Sequence, residues 1–355
     1  MAANNKNRSI GDYQIVGKPL GSGGMATVYL VEKNKKKFAA KVLHRHLMRE
    51  RKTVERFKQE FTIGQNMNNN KAFVEMIELL KHDGAWTIIM EYIPGVTLHD
   101  LINKMGPFSN KESTSIIYEL ASALESFHLS NYIHRDLKPD NIMITNTGQV
   151  KIMDYGVTRD LGTNLTKTGT AVGTPLYMAP EQICGSKSAD CRVDIYSMAL
   201  IMYRMLTRKD AHRMKRNFEF IELVETRMKK PVKTIADISD DTMGFLVKCL
   251  CANPEERFTT TKDFCKVLAQ TSGFEKKRKP LIKKLLTTLE ENNKKKVDAI
   301  KIDKTIVDKS NESKTLKKLV ILSGLTALTA AGLTLYFMGP EKFMAVMKKF
   351  FTQFF

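Results

Sequence analysis

The chain has 355 residues, 43% hydrophobic and 27% charged, the balance of an ordinary folded protein with room for about two domains. Its net charge of +19 describes a solvated basic surface or an attraction to anionic lipid and acidic partners. Nucleic acid is not an expected partner, because zinc-finger spacing and basic stripes interleaved with aromatics are absent from the sequence. The five cysteines form no C-x-x-C pair, which argues against a disulfide framework, and the first residues lack the apolar segment of a secretion signal.

Residues 1–9 are polar and read as a flexible N-terminus. From 10 to about 43 the pattern is that of strands, with Val28, Leu30 and the run 38–43 as apolar positions and a turn near 34–37. Residues 50–67 read as a helix with Val54, Phe57, Phe61 and Gly64 on its apolar face, and 76–80 and 86–92 as strands. Beyond Thr97 helical patterns dominate, at 112–130, 193–206, 240–252 and 260–269. A small strand-rich front half therefore precedes a larger helical back half. The stretch 273–318 carries 15 Lys/Arg against 7 Asp/Glu and reads as a basic linker. Within it Leu281, Ile282, Leu285, Leu286 and Leu289 recur at helical spacing, as a short docked or exposed helix or as an amphipathic helix on a membrane. The twenty uncharged residues 319–338 match, at about 1.5 Å per helical residue, a hydrocarbon core of about 30 Å. They are expected to span a membrane once. Lys314, Lys317 and Lys318 favour the cytoplasmic side for everything before them. The short tail 339–355 has an apolar helical face and is too small for a folded sensor domain, so input is expected from the cytoplasm, the membrane or dimerisation.

Three motifs carry chemistry. Gly21-Ser22-Gly23-Gly24-Met25-Ala26-Thr27-Val28 lies between two expected strands, where glycines let backbone N–H groups approach phosphate oxygens. Lys41 follows on a neighbouring strand. The second motif, Tyr132-Ile133-His134-Arg135-Asp136-Leu137-Lys138-Pro139-Asp140-Asn141, packs a carboxylate, a cation and an amide into six positions. Asp136 suits the orientation and deprotonation of a hydroxyl attacking a phosphoryl group, Lys138 the neutralisation of its growing charge, and Asn141 the supply of a hard oxygen to Mg²⁺. The third, Val150-Lys151-Ile152-Met153-Asp154-Tyr155-Gly156, ends a strand in a second carboxylate suited to Mg²⁺. His44 and His46 are close, but nothing nearby completes a zinc set.

In this order and spacing the motifs resemble those of a eukaryotic-type (Hanks-type) Ser/Thr protein kinase. The Gly23-Gly24-Met25 run makes the chain most similar to the bacterial membrane-anchored branch. The resemblance covers about 10–270 and implies an α+β, bilobal kinase fold, with a β-rich N-lobe and a helical C-lobe over 10–272. It implies ATP and Mg²⁺ (or Mn²⁺) as cofactors, with protein substrates. Leu20, Gly21, Ser22, Gly23 and Gly24 would cover the phosphates, and Lys41 would grip them with Glu60 as its ion-pair partner. Val28, Ala39 and Met143 would enclose adenine, with Met90 as gatekeeper and Glu91 to Ile93 meeting it through the backbone. Asp136 would be the catalytic base, assisted by Lys138, and Asn141 and Asp154 the metal ligands. Glu181 would pair with Arg257, and Asp194 would brace the catalytic loop. Lys138 and Thr174 point to the Ser/Thr class, and Arg135 to a phosphorylated residue among Thr166, Thr168 and Thr170, with autophosphorylation expected at Thr166 or Thr168.

Several positions depart from that pattern. Ala26 replaces a loop glycine, Tyr155 the usual phenylalanine and Ala199 a glycine, and 207–217 is basic where another signature is usual. Gly64, one turn after Glu60, removes an apolar link between helix and core and is expected to loosen that helix. The alternative function is a membrane-anchored pseudokinase scaffold. The intact set Lys41, Asp136, Asn141 and Asp154 argues for the enzyme.

Overall fold

A computed structural model describes residues 9–155, 175–184, 189–211, 235, 238–292 and 294. The front half is a six-stranded antiparallel sheet: β1 (Ser9–Ile10), β2 (Tyr13–Ser22), β3 (Ala26–Lys33), β4 (Lys36–Leu43), β5 (Met76–His82) and β6 (Ala85–Glu91), in the order β1-β2-β3-β4-β6-β5. Tight turns set its register. Asn34 and Lys35 both hold positive φ between β3 and β4, as do Asp83 and Gly84 between β5 and β6, the backbone that matches strand twist in two-residue hairpins. Helix α1 (Arg51–Asn66) crosses between β4 and β5 and buries Phe57, Glu60, Phe61, Ile63 and Gly64.

The period-two alternation of β4 divides the sheet's two faces. Ala39 and Leu43 belong to the main core, while Ala40 joins Ile10, Tyr13, Val31 and Ile89 in a small cluster on the opposite face. Beyond β6 the chain forms β7 (Gly95–Thr97), α2 (Leu98–Met105) and α3 (Asn110–Leu129), the last started by a Ser109/Glu112 capping box. A three-stranded sheet joins β7 to β8 (Ile142–Thr145) and β9 (Val150–Ile152). Then come α4 (Pro180–Ile183), α5 (Arg192–Thr207), α6 (Asp240–Cys249) and α7 (Thr261–Leu268). Helix α5 is buried almost all round, which makes it the centre of the helical half.

The linker expected from 273 does not begin there. Residues 278–292 form a helix, α8, whose Ile282, Leu285, Leu286 and Leu289 are buried in the main core, and the compact unit runs to Leu289. The apolar face read as a possible membrane surface is therefore covered by the domain itself. Arg278 fixes the start of α8, pairing with Glu119 at 2.7 Å and lying 4.2 Å over the Tyr118 ring. Gly148 (φ +79°) permits the contact, since a Cβ there would stand 2.5 Å from the Lys279 carbonyl oxygen. Helix α2 is too short for periodicity to separate it from its surroundings in the sequence.

No helix among the described residues is long and apolar enough to cross a membrane, and the run 319–338 lies outside them. The basic segment 212–217 and the tail 339–355 also lie outside. Leu285→Ala should cost about 2–5 kcal/mol in chemical denaturation, as a buried core truncation does and an exposed linker change does not.

Candidate active site

The site lies where the front sheet meets the helical half. Register places Lys41 of β4 opposite Val28 and Ile88, and Ala39 opposite Met90. Ala39, Met90 and Ile93 are buried in the main core, and Val28 and Met143 pack against it. Val28, Ala39 and Met143 are the side chains expected to enclose a planar ring, Met90 is the expected gatekeeper, and Ile93 is expected to act through its backbone. Gly21 and Ser22 pair with Val28 and Thr27, so the glycine loop is a hairpin tip; Leu20, Gly21, Ser22, Gly23 and Gly24 are all exposed on it. Glu91 donates its N–H to the Glu75 carbonyl at 2.9 Å, and its carboxylate accepts from the buried Lys151 amine. Sequence reading gave Lys151 no role, since a lysine on a three-residue strand has no distinctive spacing.

Lys41 is the electrostatic centre. Its Nζ donates to Glu60 Oε1 at 2.6 Å and to Asp154 Oδ1 at 2.7 Å, joining β4, α1 and the segment after β9. Burial works to lower the Lys41 pKa, but the two carboxylates win and raise it. Burial likewise works to raise Asp154, but Lys41 holds it below the usual carboxylate range. For Glu60 burial prevails over the pull of Lys41, with the Asp154 charge adding to it, and pushes the carboxyl up to about 7. The gap expected to loosen α1 at Gly64 is filled. A Cβ there would stand 2.3 Å from Met76 Cγ and 2.8 Å from Tyr155 Cε2, so those side chains already occupy the space.

Asp136 sits in the turn between α3 and β8, opposite this cluster. Lys138 Nζ donates to Asp136 Oδ2 at 3.3 Å. Asn141 Nδ2 donates to the Asp136 carbonyl at 2.8 Å, so Oδ1 is the acceptor atom of that side chain. The turn is held from below by the buried Asp194, which accepts the His134 and Arg135 N–H groups, each at 2.9 Å, and His128 Nε2 at 2.8 Å. Arg135 and Asp154 both hold positive φ, at 61° and 50°, a backbone state that side chains other than glycine adopt at a cost. Arg257 forms a fork with Glu181, at 2.7 and 2.9 Å, and closes the helical half. Arg135 Nε is buried with no hydrogen-bond partner among the described residues. Thr166, Thr168, Thr170 and Thr174 lie outside them.

These donors fit a hard divalent cation and a polyphosphate. Asp154 and Asn141 offer oxygen ligands, and Lys41 a fixed cation beside them. Among the described residues no group of three His, Cys, Asp or Glu makes a closed metal cage. An arrangement of that kind suits Mg²⁺, which keeps waters and phosphate oxygens in its shell rather than a full set of protein ligands.

A family model described as the protein kinase domain matches residues 14–270. The serine/threonine-protein kinase PknB of Mycobacterium tuberculosis (strain H37Rv) is 32% identical over 290 residues, 79% of this chain and 46% of that protein. Serine/threonine-protein kinase PrkC of Bacillus subtilis is 32% identical over 203 residues, 56% of this chain and 31% of that one. A probable serine/threonine-protein kinase PknB of Lactococcus lactis is 36% identical over 200 residues, 55% and 31% respectively. The chain thus spans less than half the length of these relatives.

Glu60 gives the site a pH signature. A carboxyl raised in the folded state adds stability fully below its ordinary value of 4.5 and loses that contribution as pH climbs through about 7. His134, lowered by burial, acts in the opposite sense but is present in both proteins of a Glu60→Gln comparison. The stability difference between nucleotide-free wild type and Glu60→Gln should therefore move against wild type between about pH 5 and pH 8 in thermal melts. A constant difference would count against a raised Glu60.

Proposed function

The chain belongs to the protein kinase family, and from that membership and the site's geometry we propose that it phosphorylates serine or threonine hydroxyls of proteins with ATP. The observation that carries this reading is the assembled ion pair of Lys41 with Glu60 and Asp154, within one domain that also presents Asp136, Lys138 and Asn141 in a single braced turn. A scaffold with no phosphoryl transfer has no need to bury a lysine between two carboxylates or to hold Asp154 in a left-handed backbone.

In this reading the hairpin tip at 21–24 covers the phosphates, and Lys41 binds them while Glu60 keeps its amine in place. Asp154 and Asn141 would hold Mg²⁺, or Mn²⁺ in its stead, which when bound neutralises charge on the phosphates. Asp136 orients the substrate hydroxyl and takes its proton. Lys138, already beside Asp136, faces the charge that builds on the transferred group. The preference for serine and threonine hydroxyls rests on the resemblance at Lys138 and Thr174.

Regulation rests on Arg135. Its guanidinium donates to the Ala189 carbonyl at 3.5 Å while its Nε has no partner among the described residues, and with the resemblance this supports a role as receiver of a phosphorylated threonine, Thr166 or Thr168, through charge-assisted hydrogen bonds. The uncharged run 319–338 supports a single membrane anchor with the kinase domain in the cytoplasm, and catalysis and anchoring are separable roles.

Asp136→Asn should lower ATP-dependent labelling of a generic protein substrate by about 10²–10⁴-fold, the usual contribution of a positioned base. Equal labelling by wild type and variant would defeat the enzyme reading and leave the scaffold. Mass spectrometry of wild type should find phosphate on Thr166 or Thr168, absent from Asp136→Asn. Removal of residues 319–338 should release the protein from the membrane fraction while its labelling activity persists.

A further inference from the structure

Among the described residues no group of three metal-binding side chains includes His44 and His46, yet His44 has a partner. Its Nε2 lies 3.1 Å from Thr27 Oγ1, and Thr27 Oγ1 lies 3.0 Å from Ser22 Oγ. The three side chains form one hydrogen-bonded row, and strand register accounts for it. Ser22 stands opposite Thr27, and Thr27 opposite Val42. His44, two residues beyond Val42, is therefore the diagonal neighbour of Thr27. The row runs across β2, β3 and the end of β4.

This row lies behind the site. Ala39 and Leu43 belong to the main core, and the alternation of β4 sets Lys41 on their side. Ala40 and Val42 belong with the small cluster on the opposite face, and His44 continues their series. Thr27 shares that face through Val42, while the next residue, Val28, packs on the main core. The two hydroxyls and the imidazole thus occupy the back of the glycine hairpin, away from Lys41.

The tip has little else to hold it. A Cβ at Gly21, Gly23 or Gly24 would meet nothing within 4 Å, and Leu20 and Met25 are exposed. Beyond the strand ladders, Gly23 donates its N–H to the Ala26 carbonyl and His44 donates its own to the Met25 carbonyl, each at 2.9 Å. His44 therefore grips the hairpin twice, by its backbone and by its ring. Its carbonyl accepts the Leu47 N–H at 3.0 Å and opens the short turn Arg45–Arg49 that leads into α1. The hairpin, the Lys41 strand and the chain leading to Glu60 meet at this one residue. A glycine-rich segment loses much backbone entropy when it is fixed, so a restraint present in advance lowers the cost of closing it on a ligand.

We propose that His44 is a positioning residue that splints the glycine hairpin from behind, through Thr27 and Ser22, and thereby sets the affinity for the phosphates of the nucleotide. The splint acts on ATP and not on the protein substrate. This inference rests on the reading of the hairpin as the cover of the phosphates.

The test uses the full chain. Thr27→Val keeps the shape and removes the hydroxyl that joins Ser22 to His44, while Thr27→Ser keeps the hydroxyl. In Thr27→Val, hydrogen exchange at the Gly23 and His44 amides should quicken by about three- to tenfold, the worth of one hydrogen bond, while the Leu120 amide on α3 keeps its rate. The dissociation constant of ATP at saturating Mg²⁺ should rise by a similar factor, and the KM for a generic protein substrate should hold. His44→Leu should quicken the Gly23 amide and weaken ATP binding to the same extent. Combining it with Thr27→Val should be no worse than His44→Leu alone, because the two residues act as one unit. Thr27→Ser should match wild type in both measurements. Unchanged exchange at His44 in Thr27→Val overturns the proposal. So does an ATP constant that does not move, an effect spread evenly to Leu120, or a Thr27→Ser that behaves as Thr27→Val. The proposed function fails separately, if wild type binds no ATP, and exchange at His44 then still decides whether the splint exists.

Discussion

The site depends on one buried amine. Lys41 is shared between Glu60 and Asp154, whose positions in the chain differ from its own by 19 and 113 residues. A lone charge at such depth is expensive, and removing one partner from a buried pair typically costs about 3–5 kcal/mol. The strand, the helix and the segment after β9 therefore have to arrive together. Lys41 keeps its proton because two acids surround it, while Glu60, the more enclosed of those acids, has its carboxyl pushed upward. The ion pair is a geometric condition as much as a source of stability: the three elements agree on where Lys41 ends only when the sheet, the helix and the segment after β9 are in register.

A second layer makes that register rigid. Asp194, fully buried at the start of α5, takes three hydrogen bonds from α3 and the catalytic turn, so the turn that carries Asp136 is fixed by the centre of the helical half. On the other side, the Tyr155 hydroxyl donates to the Val74 carbonyl at 3.1 Å and Val74 donates its N–H to the Ile152 carbonyl at 3.0 Å. Between them, Arg135 and Asp154 are held at positive φ, where surrounding contacts offset the local backbone cost. The groups proposed to react sit on short, bonded segments rather than on free loops, which is the condition for a preorganised electrostatic site.

Helix α8 changes how the charge of the chain is understood. Its lysines at 279, 283 and 284 are exposed, while Ile282, Leu285, Leu286 and Leu289 complete the core. Part of the basic stretch is thus the outer face of a structural helix, as amphipathic helices require, and a linker can begin only after that helix ends.

The sequence by itself determined the kinase motifs, their order and the residue proposed for each role, because those motifs are short and each is set by neighbouring positions of the chain. It also determined most strands and the long helices, since period-two and period-3.6 patterns are local properties of the chain. It did not yield the end of the domain: whether the apolar face at 282–289 meets protein or lipid depends on a partner surface, here α3 and the Gly148 turn, that lies far away in sequence. Nor did it yield the meaning of Gly64. In isolation a missing side chain reads as a weakness, and only the tertiary structure brings Met76 and Tyr155 into the space, because close packing is decided between segments and not within them. The Lys41 cluster stands between these cases. Its members were legible one at a time, but that one amine satisfies both carboxylates is a property of distance, which the chain acquires only on folding.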